Sequence, residues 1–111
     1  MNLVLGIDVG TQGARVVVVN ESGQVVAQAK QQFVHVTLPG LPPGHIEQDP
    51  DAWWIATREC LRKVVAQLSD PADIVAIAVD STSGTVVLLA ANNRPLRPAL
   101  MYNDRRAETQ A

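Results

Sequence analysis

One cysteine, Cys60, is all that the chain holds in 111 residues. That excludes an internal disulfide framework and any metal site built on several thiolates. Runs of Lys and Arg are absent too: the 9 basic and 11 acidic residues are interspersed and leave a net charge of −2. Nothing in that balance points to nucleic acid or to an anionic membrane surface as a partner. Long apolar runs are also missing. The opening MNLVLGIDVG has no basic leader and is broken by Asp8, so a strand is expected there rather than a signal peptide or a membrane span. There is no internal repeat and no low-complexity stretch. What remains is 47% hydrophobic and 18% charged, the composition of a folded core the size of one domain or part of one. A reducing cytoplasm is the expected compartment.

Periodicity predicts an α/β fold. Residues 3–8 and 14–19 are short apolar runs of β-formers, the second with four consecutive valines. The polar turn Asn20–Gln24 leads into a third strand over residues 25–36, where apolar and polar residues roughly alternate. Three strands joined by tight turns form an antiparallel meander. Residues 37–48 are too rich in Pro and Gly for a helix or a central strand. Asp49 then reads as an N-cap, with Pro50 at the first helical position and Asp51 suited to the macrodipole. Trp54, Thr57, Leu61, Val64, Val65 and Leu68 form the expected buried stripe, with Arg58, Glu59, Arg62 and Lys63 on the opposite side. The helix is expected to stop near Asp70-Pro71. Residues 74–80 read as a strand buried on both faces and parallel to an earlier one. Residues 85–91 read as another strand, residues 92–95 as a turn, and a last helix is expected from Asn103 or Asp104.

The stretch GIDVGTQGARVVVV carries more polar groups than a hairpin turn requires. Gly10 and Gly13 permit positive φ and close approach of the backbone to a ligand. Successive amides in such a turn form a concave nest for phosphate oxygens. Thr11 and Gln12 add side-chain donors, Arg15 adds a cation, and Asp8 is suited to Mg²⁺, directly or through water. The alternative is a plain glycine turn with a helpful Asp. It is not a Walker loop, because no Lys-Ser/Thr follows and a strand comes next; nor is it a dinucleotide fingerprint. A second polar cluster, DSTSGT at residues 80–85, ends another apolar strand, where open sheets bind ligands. Its hydroxyls both donate and accept, which suits a polyol, although a polar turn has the same composition. The order is not that of a serine-nucleophile elbow. Cys60 and at least one of Trp53 and Trp54 read as packing. His45 and Glu47 read as a solvated loop or a cleft edge, and Asn103–Arg106 as a substrate-facing cluster or a charged helix start.

Taken together these residues resemble a family. GIDVGTQGARVVVVN is similar to the first phosphate-binding hairpin of the actin-like ATPase superfamily. EQDPDAWW, IVAIAVDSTSGTVVLL and NRPLRPALMYNDRRA follow in the order used by the FGGY carbohydrate kinases, so the resemblance spans essentially the whole chain. It implies a ribonuclease-H-like first domain, of which residues 1–111 are the N-terminal part. It also implies ATP and Mg²⁺ as cofactors and a small-molecule sugar as partner, with a homodimer left open. Xylulose and related kinases commonly place Gln-Met-His-Gly where this chain has Thr82, Ser83, Gly84 and Thr85. That departure resembles the ribulose-type pentulose kinases. In that subgroup the matching positions Asp8, Gln12, Gly13 and Ser83 contact the ketose, while Thr11, Gln12 and Arg15 lie near the transferred phosphate. FGGY kinases are several times longer, and the resemblance puts their catalytic base and adenosine pocket beyond residue 111. The expected activity is therefore that of a parent ketopentose kinase, with D-ribulose first and D-xylulose next. A non-catalytic actin-like nucleotide-binding or regulatory module is the alternative; it would share the hairpin but has no need of the two later polar clusters.

Overall fold

A computed structural model describes residues 1–111. Strands β1 (Leu3–Val9), β2 (Gly13–Asn20) and β3 (Val25–Gln32) form the expected antiparallel meander. After β4 (Glu47–Gln48) comes helix α1 (Pro50–Val65), and β5 (Ile74–Ser81) then pairs parallel with β1. The main sheet runs β3-β2-β1-β5, while β4 pairs with β6 (Ala99–Leu100) in a small second sheet.

The helix begins as its sequence dictates: the Asp49 carboxylate accepts from the Asp51 amide at 2.9 Å, and Pro50 opens the first turn. Its buried line differs in part from the expected stripe: Thr57 and Val64 are buried and Leu61 and Leu68 pack against the core, as expected. Ala52, Ala56, Cys60 and Val64 face inward, four residues apart, whereas Trp54 is 59% exposed and Val65 is also exposed. Small side chains at 52 and 56 let the helix lie close on β2 and β3, and the bulky Trp54 is turned out. Leu3, Leu5, Ala14, Val16, Val18 and Ala27 supply the sheet side of this core. Burying each large aliphatic chain there contributes roughly 1.5–3 kcal/mol. The helix ends at Val65, before the expected stop; Asp70-Pro71 instead caps a short 3₁₀ turn, Pro71–Asp73.

Four further expectations are corrected. The third strand ends at Gln32, because the Phe33 amide turns to Gln12 O (2.9 Å) and His35 adopts φ 52°. Strand β5 lies at the sheet edge, with Val75, Ile77 and Val79 61%, 62% and 68% exposed, because α1 covers β2 and β3 and barely reaches β1. Residues 85–91 form no regular strand. They make isolated bridges, Val86 to Leu100 and Leu89 to Pro95, around the expected turn. Residues 103–111 form turns and no helix: Asp104 accepts from the Arg106 amide ahead of the turn, but its carboxylate is also held by the Arg106 guanidinium and the Ile46 amide, and only isolated turn bonds follow.

Candidate functional site

Alternation along each strand and the pairing register decide what the face opposite α1 presents. Lys30, Arg15, Asp8 and Asp80 are successive cross-strand partners on β3, β2, β1 and β5, so they form one row across that face. Arg15 Nη2 stands 3.3 Å from Asp8 Oδ2, with both side chains partly solvated. The neighbouring row is Gln28, Val17, Gly6 and Ala78, whose small members make a low floor. Together they line an open hollow of about 780 Å³. Like charges sit side by side at each end of the charged row, an arrangement that costs stability in a sheet. Sequence reading found Asp8 and Arg15, placed Asp80 only within the second polar cluster, and missed Lys30. Strand register was the signal, because Asp80 ends β5 as Asp8 ends its parallel neighbour β1.

The turn between β1 and β2 closes with the Gly10 amide donating to Gly13 O at 2.9 Å. Neither glycine has positive φ, contrary to expectation. Gly13 is required for another reason: a Cβ there would come within 2.5 Å of Gln31 O on β3. At the tip, Thr11 and Gln12 are exposed, and their amides make no hydrogen bond within the chain. Their carbonyls do. Thr11 O accepts from Gln48 Nε2 (3.0 Å) and Gln12 O from the Phe33 amide (2.9 Å). The turn therefore offers two unpaired amides, a hydroxyl and a side-chain amide, a donor set that fits phosphate oxygens. The fit for Mg²⁺ is narrower. No group of three or more metal-ligating side chains is present, so Asp8 would hold a hydrated ion that draws its other ligands from water and phosphate.

Ser83 stands apart from the hairpin, exposed on the loop after β5, where Gly84 takes φ +76° beside Tyr102. Its neighbours Ser81, Thr82 and Thr85 line a separate hollow of about 240 Å³ with Gly10, Trp53 and Met101. The buried hydroxyl of Thr85 has no partner there.

Glu47 and Asp104 belong to neither a solvated loop nor a helix start. Glu47 is 6% exposed, and its Oε2 accepts from Arg106 (2.6 Å) and Arg97 (2.9 Å). Those hydrogen bonds, Arg106 first, hold its carboxyl below the usual range. Asp104 is held well below it by Arg106 and by the Arg106 and Ile46 amides, and Arg106 is raised in return. The cluster fastens the small sheet beside the hairpin tip. Cys60 is fully buried, its thiol pushed up by desolvation and directed at Ala14 O; it is a packing group.

Comparison with known proteins places this geometry. Residues 3–111 match the N-terminal domain of the FGGY family of carbohydrate kinases. A xylulose kinase of Escherichia coli is 38% identical over 94% of the chain, and a glycerol kinase of Ralstonia nicotianae is 34% identical over 97%. The chain spans 21% and 22% of those two proteins. The solved structure of xylulose kinase from Rhodospirillum rubrum, 29% identical, superposes over 98% of the chain and 22% of its own, with a TM-score of 0.82.

Proposed function

The chain belongs to the FGGY family of carbohydrate kinases and has the actin-like ATPase fold of its first domain, and from that premise we propose that it is the substrate-side part of an ATP-dependent ketopentose kinase. Residues 1–111 are the N-terminal part of the first kinase domain, with the catalytic base and the adenosine pocket downstream. The apolar, uncovered edge of β5 supports this placement, because a strand of that composition is stable when covered. The observation that carries the proposal is the hairpin tip, where both carbonyls are bonded away and two amides stay free.

Thr11, Gln12 and Arg15 hold the phosphate oxygens, and Asp8 supports hydrated Mg²⁺ or orients the sugar hydroxyl. ATP supplies the phosphoryl group when bound. The chain's own contribution is positioning and neutralisation of charge, which dominate phosphoryl transfer. Arg15, tethered to Asp8, holds that carboxylate along the open face. Asp8, Gln12, Gly13 and Ser83 form the sugar side. Ser83-Gly84 is small and hydroxylic, which favours a ketose held by hydrogen bonds, and D-ribulose is the proposed substrate. The 38% identity to a xylulose kinase favours D-xylulose as the second reading.

An ADP-release assay of the full-length protein with ATP, Mg²⁺, D-ribulose, D-xylulose and glycerol is the test. Sugar-dependent turnover is expected with a ketopentose; turnover with no sugar at all would defeat the kinase reading. Ser83→Ala is expected to lower kcat/KM for the preferred ketose more than for its epimer, because an unpaired polar group costs about 1–3 kcal/mol. Equal losses, or a wild type that prefers D-xylulose, would remove the ribulose assignment alone.

A further inference from the structure

We propose that Gln48 and Trp53 are positioning residues that set the orientation of the Gln12 amide at the hairpin tip; the proposal rests on the reading of that tip as a phosphate site. Gln48 is buried, and each end of its amide is used. Its Oε1 accepts from Trp53 Nε1 at 2.9 Å, and its Nε2 donates to Thr11 O at 3.0 Å. The indole N–H only donates and a backbone carbonyl only accepts, so one side-chain orientation of Gln48 satisfies both partners. Trp53 lies in the first turn of α1, and the backbone of Gln48 pairs with Ala99. The tip is thereby tied to the helix and to the small sheet through a single side chain.

The consequence follows from the planarity of the peptide unit. In a trans peptide the C=O and the next N–H point in opposite directions. Holding Thr11 O against Gln48 therefore turns the Gln12 amide the other way, and holding Gln12 O against Phe33 does the same for Gly13. Without the Gln48 amide, Thr11 O is free to turn to water and the peptide is free to rotate. A misplacement near 1 Å at such a site costs up to about 100-fold in rate.

The test uses the full-length protein with Gln48→Met, which keeps the side-chain length and removes both polar ends. Trp53→Phe, which removes only the indole N–H, is the second variant. With Gln48→Met, KM for ATP is expected to rise roughly tenfold while KM for the sugar stays within about twofold; Trp53→Phe moves the same way by less. Hydrogen exchange gives a readout independent of catalysis. Amides of Gly10 and Phe33, bonded to Gly13 O and Gln12 O, are expected to exchange faster in both variants. Unchanged exchange at those amides overturns the relay. So does an equal rise in both KM values with a lowered Tm, which marks a residue that only stabilises the fold. Faster exchange in the variants of a protein that phosphorylates no sugar keeps the relay and defeats the kinase reading instead.

Discussion

The two faces of the main sheet are made from alternate residues of the same strands, yet they serve opposite ends. The face under α1 carries Leu3, Leu5, Val16 and Val18, buried against Ala56, Cys60 and Val64. The other face carries Lys30, Arg15, Asp8 and Asp80 in one row, and no helix covers it. The first arrangement lowers free energy by removing apolar area from water. The second places like charges beside one another and gains only one solvated ion pair, which contributes about 0–1 kcal/mol. A row that adds little to stability but gathers charge beside the turn proposed to hold phosphate supports the proposed reading of this face as a ligand site.

Substitutions that separate the faces test this contrast. Leu5→Ala on the covered face is expected to cost about 2–5 kcal/mol in denaturant unfolding of the full-length protein, while kcat of the folded fraction stays near wild type. A comparable loss of kcat would show that the two faces are not independent. Asp8→Asn on the open face is expected to do the reverse: kcat falls about 100-fold, with Tm nearly unchanged. Near-normal turnover with an altered Tm would make Asp8 a turn residue and nothing more.

Acid reaches a third region. Glu47 and Asp104 have folded pKa values below their unfolded ones. Each therefore releases its proton more readily in the folded state. Their contribution is complete above about pH 5, beyond the unfolded values, and is lost as pH falls through the folded ones. Acid titration of stability is expected to show that loss, and Glu47→Gln to diminish it; identical profiles for the two proteins would refute it. The smallest effect is expected from Lys30→Gln, which removes one of two adjacent cations and is expected to stabilise the sheet by about 0.2–1 kcal/mol. A destabilised Lys30→Gln protein in thermal unfolding would mean that Lys30 has a favourable partner after all.

Local chemistry determined a good part of the molecule. The apolar runs specify β1, β2 and β5, and Asp49-Pro50 starts the helix where a cap and a proline must. The polar turn at residues 10–13 is legible because it holds more donors than a hairpin uses. These features depend on residues near in sequence, so the sequence alone suffices for them. The helix face was harder to read. Trp54 looks buried by hydrophobicity, but close packing selected Ala52 and Ala56 instead, and that choice depends on what β2 and β3 leave room for. Residues 85–91 have the composition of a strand but meet only bridging partners, and residues 103–111 lose their helix to contacts near Ile46 and Glu47. Glu47 looked like loop and became a buried acceptor for two arginines 50 and 59 residues away. The charged row and the Gln48 bond to Thr11 likewise join residues from separate strands and loops. Partners so distant along the chain leave no periodic trace in it; pairing register and packing bring them together, and only the tertiary structure supplies those.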